Sequence, residues 1–162
     1  MLFRSRLSNS LVIVVAADSQ LRITSTSDLA DPKIKRIALA DPKTVPAGIY
    51  ARAHLEKLGL WTRVAPKVVP TDNVRAALSA VEAGNVEAGV VYKTDAGISK
   101  NVRIAHEIPA HVGPAISYPV AALRESRQPY AARRFLNYLD SDEAGRVFQK
   151  FGFIVLKKPR AA

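Results

Sequence analysis

The chain has 162 residues, 48% apolar and 23% charged. That is enough for one ordinary domain or two small lobes with a buried core, and it excludes global disorder. It carries no cysteine, which removes disulfides, thiolate zinc sites and a cysteine nucleophile. Its 24 Lys and Arg against 14 Asp and Glu give a net charge of +10, a balance that suits nucleic acid, an acidic surface or an anionic ligand. The basic residues are scattered singly, the densest cluster being Lys157, Lys158 and Arg160, and no basic stripe carries interleaved aromatics. Nucleic acid is therefore disfavoured.

Residues 1–9 lack the apolar core of a signal peptide, and no apolar run approaches a membrane span. The β-branched run at 11–16 reads as a strand buried on both faces. A short helical turn at 27–31 ends at Pro32, and 36–40 is a second strand. A helix is predicted over 46–58, ended by Gly59. A short strand at 67–69 leads to a second helix over 73–83, ended by Gly84. Strands follow at 86–92, 102–108 and 117–123. Helices over 129–139 and 142–151 close the chain, the first with Ala132, Phe135, Leu136 and Leu139 as its buried stripe. Strands alternating with helices give an α/β class with a largely parallel sheet.

Chemistry concentrates where strands hand over to helices. In Val45-Pro46-Ala47-Gly48, proline at the first helical position is favourable, and the amides of Ala47 and Gly48 are donors at a positive helix end. Val45 has no side-chain oxygen to cap them, and small side chains leave the backbone open to an anion. A water-capped helix, or capping by Thr44, is the plain alternative. At Thr71-Asp72-Asn73-Val74, Asp72 or Thr71 is the expected cap, with the Val74 amide near the positive end; the plain reading, in which the cap itself takes the donors and an Asp carboxylate repels an anion, is the stronger one here. Tyr92 ends a strand on the side where ligands gather in parallel sheets, and its hydroxyl is an uncharged donor. A half-buried packing role is its plain reading.

Catalytic constellations are weak. His54, His106 and His111 have no metal-ligand spacing, and His54 reads as a surface helix residue. Glu82 and Glu87 read as solvated, and Glu143 as an acid in a first helical turn. There is no G-x-S-x-G, P-loop or G-x-G-x-x-G motif. No residue is assigned as catalytic, and none as a cofactor ligand.

The segment Ala40-Asp-Pro-Lys-Thr-Val-Pro-Ala-Gly-Ile-Tyr-Ala51 resembles the characteristic segment of periplasmic molybdate-binding proteins, the capture subunits of molybdate ABC transporters. Asp72-Asn-Val-Arg-Ala-Ala-Leu78, Gly89-Val-Val-Tyr-Lys-Thr-Asp95 and Phe148-Gln-Lys-Phe-Gly-Phe153 are similar to further segments of that family, in the same order. The resemblance spans about residues 7 to 155. It implies a type II periplasmic-binding-protein fold and a molybdate or tungstate ligand held by neutral donors. The donors would be the backbone N–H of Ala47, the backbone N–H of Val74 and the Tyr92 hydroxyl, touching molybdate oxygens and not the metal itself. It implies a membrane permease as partner, a periplasmic location and no transmembrane span.

Against that family, residues 1–16 read as a remnant of lobe one with the first hinge strand. Residues 17–116 read as lobe two, the ligand-binding half. Residues 117–162 read as the second hinge strand with the C-terminal helices of lobe one. The chain thus reads as an N-terminally truncated fragment, whose last helices would expose apolar surface. The competing readings are an oxyanion-sensing effector domain of a transcription regulator, which would carry a helix-turn-helix ahead of this segment, and a small hydrolase or transferase, disfavoured because no nucleophile is paired with a base.

Overall fold

By packing, the chain divides into two units, residues 10–114 and the segments on either side of them. A computed structural model describes residues 4–156; the basic cluster at 157, 158 and 160 lies outside the described residues. Strand β1 (Arg4–Ser8) belongs to the smaller unit. The β-branched run then forms β2 (Leu11–Ala16) in the larger one. Leu11 to Val15 are each at most 1% exposed. Successive side chains of a strand point to opposite faces, so both faces of this sheet must be covered.

The cover comes from two crossovers. After a 3-10 turn (Thr26–Ala30), the chain runs through β3 (Ile37–Ala40), α1 (Pro46–Lys57), the single-turn α2 (Trp61–Val64), a second 3-10 turn (Ala65–Lys67) and β4 (Val68–Thr71). It continues through α3 (Val74–Glu82) and β5 (Ala88–Tyr92) to the single-turn α4 (Lys93–Ala96) and β6 (Val102–Glu107). The strand order is β4-β3-β5-β2-β6. The step from β3 to β4 and the step from β4 back past β3 to β5 go in opposite directions. Right-handed crossovers therefore place α1 and α3 on opposite faces. Val12, Val14, Ala38 and Val91 meet Ala77, Leu78 and Val81 of α3 in one cluster. The oppositely directed Leu11, Ile13, Ile37 and Leu39 are equally buried, and Ala47, Gly48, Ala51, His54 and Leu55 are the buried residues along α1.

β3 pairs in parallel with both β4 and β5, whereas β2 pairs antiparallel with both β5 and β6. Four strands thus share one direction and β2 runs against them. The sheet is largely parallel in direction, with an antiparallel strand inside it.

In the smaller unit, β1 pairs antiparallel with β7 (Tyr118–Val120) and β8 (Ile154–Val155). Helices α5 (Pro129–Leu139) and α6 (Asp142–Lys150) lie between those strands in sequence. Phe153 makes edge-on ring contacts with Tyr118 (5.5 Å) and Phe148 (5.9 Å). Arg6 joins Asp140 by an ion pair at 3.5 Å and donates to its carbonyl. The stripe expected on α5 is not buried: the helix has no buried residue and Phe135 is 59% exposed. This unit has too few layers to cover both flanks of its helices. The α6 first turn carries Asp142 and Glu143, as the helix dipole favours. Among the described residues, no helix is long and apolar enough to cross a membrane.

Three polar residues differ from their sequence reading. Glu87 is not merely solvated: it accepts from the amides of Lys35 (3.1 Å) and Arg36 (2.6 Å). Those bonds and the Arg36 charge outweigh the upward push of burial and hold its carboxyl below the usual value. Glu82 accepts a short hydrogen bond from the Ser99 hydroxyl. His54 is a buried residue, 5% exposed, with Nε2 3.4 Å from the Thr26 hydroxyl and no partner for Nδ1 among the described residues. It sits on the buried side of α1, one turn from Ala51 and next to Leu55, because the helical stripe there includes position 54.

Burial, with smaller contributions from Lys57 and His106, pushes the His54 pKa below its ordinary 6.5. The unfolded chain then binds the proton more readily, so the stability tied to His54 is complete above pH 6.5 and is lost as pH falls toward the folded-state value. Denaturant titrations across about pH 5 to 7.5 are expected to show stability falling with acid, and a His54→Leu chain to show a flatter profile.

Candidate functional site

In a parallel α/β arrangement, helix starts and strand ends meet at one edge of the sheet, and ligands collect outside it. The register makes that edge explicit. Ala40 lies opposite Thr71, and Leu39 lies opposite Val90. The ends of β3, β4 and β5 are thus level, with Tyr92 one residue beyond the β3 end. Ala47 follows β3, Val74 follows β4 and Tyr92 terminates β5. The structure brings all three predicted residues to the same edge of one sheet, within one packing unit.

The loop between β3 and α1 is organised by Asp41. Its carboxylate accepts from the Lys43 amide at 2.8 Å, and its carbonyl accepts from the amides of Thr44 and Val45. Its own amide donates to the Thr71 carbonyl at 2.9 Å, stapling the loop to β4. The helix then opens at Val45, whose extended backbone and apolar side chain provide no cap. The first internal bond is Ile49 to the Val45 carbonyl. Ala47 and Gly48 therefore hold amides that no described residue accepts from, although both residues are buried. A buried helix start without partners is unusual, because each orphaned donor costs free energy. Thr44 does not cap the helix.

Gly48 has a different role from the one its size suggested. It does not open the backbone to a ligand. A Cβ there would run into the carbonyl oxygen of Ala40 and stand 2.6 Å from that of Asp41. The missing side chain lets α1 press directly on the end of β3.

At α3 the cap is Asn73 and not Asp72 or Thr71. Asn73 Oδ1 accepts from the Ala76 amide at 2.9 Å, and the Thr71 hydroxyl donates to the Asn73 carbonyl. Extended geometry at Asn73 places its carboxamide over the third helical amide. The cap thus consumes the Ala76 donor and leaves the amides of Val74 and Arg75 without an acceptor among the described residues. Asp72 is exposed and takes no part in capping.

Tyr92 is half-buried, in the antiparallel ladder with Leu11, and its extended backbone starts α4. The flanking charges were not singled out in sequence. Arg75, next to Val74, bonds the buried Asp95 at 2.8 Å. Lys93, next to Tyr92, bonds both oxygens of Glu107 at 2.7 and 2.9 Å. Ser10 adds a hydrogen bond to Glu107 at 3.0 Å and accepts the Lys93 amide on its carbonyl at 2.9 Å. Burial pushes the Asp95 carboxyl up, and Arg75 only partly offsets this. Burial also pushes Glu107 up, but the bonds from Lys93 and Ser10 and the Lys93 charge win and hold it below the usual value. No local motif announces such pairs, because the partners lie 20 and 14 residues apart. Among the described residues, no group of three His, Asp or Glu side chains is arranged to hold a metal ion.

The edge can therefore present directional, uncharged donors to an anion. A family model described as bacterial extracellular solute-binding protein matches residues 4–154. YvgL of Bacillus subtilis (strain 168), described as an ABC transporter substrate-binding lipoprotein, is 46% identical over 145 residues, covering 90% of this chain and 55% of its own length. The molybdate-binding protein ModA of Escherichia coli (strain K12) is 35% identical over 158 residues, covering 92% of this chain and 59% of its own. Among solved structures, a substrate-binding domain described as that of a molybdenum ABC transporter from Clostridium difficile superposes with a TM-score of 0.83 at 29% identity, covering 96% of this chain and 67% of its own. The chain spans a little over half the length of the curated relatives it matches. The fold is that of the type II periplasmic binding proteins.

Gly48→Ala is expected to lower the unfolding free energy by about 1–3 kcal/mol, the usual range for overpacking, and to move the Ala47 amide resonance. Chemical denaturation and amide NMR check both. Asn73→Ala is expected to cost about 1 kcal/mol, the loss of one cap, in the same denaturation assay.

Proposed function

The chain belongs to the bacterial extracellular solute-binding proteins, and on that footing we propose that it serves to capture a tetrahedral oxyanion, molybdate or tungstate, for an ABC importer. The observation that carries the reading is the uncapped, buried start of α1 at the edge that also holds the Val74 amide and Tyr92. An oxyanion supplies acceptors to the Ala47 and Val74 amides, which have none among the described residues, and the positive helix ends favour its charge. The 35% identity to a molybdate-binding protein supports the choice of anion.

In this reading Ala47 N–H, Val74 N–H and the Tyr92 hydroxyl each donate one hydrogen bond to an oxyanion oxygen. Binding needs no bond making or breaking, so no general base or nucleophile is required. The protein works outside the cytoplasmic membrane and hands its ligand to a membrane permease. The charge of +10 speeds encounter without setting selectivity.

Calorimetry tests the assignment on the 162-residue chain, and on a fusion supplying the part of the Escherichia coli molybdate-binding protein that lies outside the match. The chain alone is expected to bind molybdate weakly or not at all and the fusion tightly. Absence of heat from both, with molybdate and with tungstate, overturns the assignment. In the binding-competent form, Tyr92→Phe is expected to weaken affinity by about 1.5–3 kcal/mol, one hydrogen bond to a charged group; an unchanged affinity removes Tyr92 from the site.

A further inference from the structure

The two cations adjoining the donors are both tied up. Arg75 directly follows Val74 and lies in the first turn of α3, yet its Nε is 2.8 Å from Asp95. Lys93 directly follows Tyr92, yet its ammonium is chelated by both Glu107 oxygens. Each acid is fixed in place. Asp95 is buried within the α4 turn that Tyr92 starts. Glu107 ends β6 on the same sheet edge as Tyr92 and is held further by the Ser10 hydroxyl.

A guanidinium or ammonium left unpaired at that edge would attract any anion with little regard to shape, since Coulomb attraction is non-directional and acts on every small oxyanion alike. Backbone amides and a phenol discriminate, because their hydrogen bonds demand oxygens at set positions. We propose that Asp95 and Glu107 are specificity-determining residues: by holding Arg75 and Lys93 in ion pairs, they leave recognition at this edge to the uncharged donors. The inference rests on the oxyanion-capture reading for its cognate ligand, but the sequestration of the two cations has its own readout. In a chain with ten more basic than acidic charges, such local neutralisation is what separates a selective site from a general anion sink. Lys43, exposed in the loop before α1, remains for encounter.

The experiment compares wild type, Glu107→Gln, Asp95→Asn and the double variant R75Q/D95N. Binding of molybdate, sulfate and phosphate is measured by calorimetry and by amide NMR, at about 20 and 200 mM salt, where screening lengths differ roughly threefold. Freeing Lys93 in Glu107→Gln is expected to tighten sulfate and phosphate binding roughly three- to fivefold, the strength of an exposed charge pair. It is also expected to steepen the salt dependence and reduce preference for molybdate. Asp95→Asn is expected to do the same through Arg75, and R75Q/D95N to restore wild-type preference and salt slope. A purely structural role for the acids would change stability without changing the salt slope. Should Asp95→Asn fail to fold, Glu107→Gln, at a solvent-exposed carboxylate, carries the test by itself. Unchanged anion preference and salt slope in Glu107→Gln overturn the proposal. If the wild-type chain takes up no oxyanion, weak salt-sensitive uptake of sulfate and molybdate alike by Glu107→Gln still supports sequestration, while the capture reading stands or falls by the fusion; no uptake by that variant overturns the sequestration.

Discussion

The start of α1 is pressed so tightly onto the end of β3 that position 48 admits no side chain. The rest of the candidate edge depends on that contact. With a Cβ at 48 the helix would have to withdraw from the carbonyls of Ala40 and Asp41, and the Ala47 amide would leave the level of the strand ends. The loop before it, closed by three bonds to Asp41 and stapled to Thr71, has no slack to absorb such a shift. Close packing of this kind transmits small displacements instead of damping them. A buried backbone held this firmly keeps its orphaned amides fixed in direction, at a cost in free energy that the folded core must offset.

That core is strongest where the donors are. β2 lies inside the sheet with neighbours on both sides, buried from Leu11 to Val15, and α1 and α3 cover the two faces. The donors thus sit on a rigid layer. In the smaller unit α5 buries no residue, and Tyr130, Phe135, Tyr138 and Phe151 are exposed. Local stability follows buried apolar contact, so the larger unit is the firmer of the two, and the candidate donors lie on it.

Much of this was legible in sequence. The β-branched run at 11–16, the proline–small–glycine helix start at 46–48 and the apolar strand ending at Tyr92 each follow from local backbone chemistry, and the structure brings them to one edge. Of the segments similar to the molybdate-binding family, residues 40–51 and 89–95 lie on these elements, 72–78 at the start of α3 and 148–153 at the end of α6 in the smaller unit. What stayed hidden depends on long-range neighbours. Periodicity did not reveal β1 and β8, because β8 is two residues long and exists only through pairing with β1. His54 reads as a surface residue by its polar type, but its position on the helix face buries it. Glu87 looked solvated because its partners, the amides of Lys35 and Arg36, lie about fifty residues away. The cap of α3 fell on Asn73 instead of Asp72, a one-residue shift that only the backbone angles decide.

The same distinction explains why charge was the least informative feature of the sequence. A net +10 suggested an anionic partner but could not say where. At the candidate edge the structure answers by cancellation: the basic residues beside the donors are matched to Asp95 and Glu107. An oxyanion site built on cations would be strong, screened by salt and weakly selective. One built on fixed amides and a phenol gains its charge stabilisation from helix ends, whose positive character is bound to a direction. On the proposed reading, selectivity for oxyanion geometry and the pairing of the guanidinium beside Val74 are one arrangement, because the acid that pairs with it also belongs to the turn that Tyr92 begins.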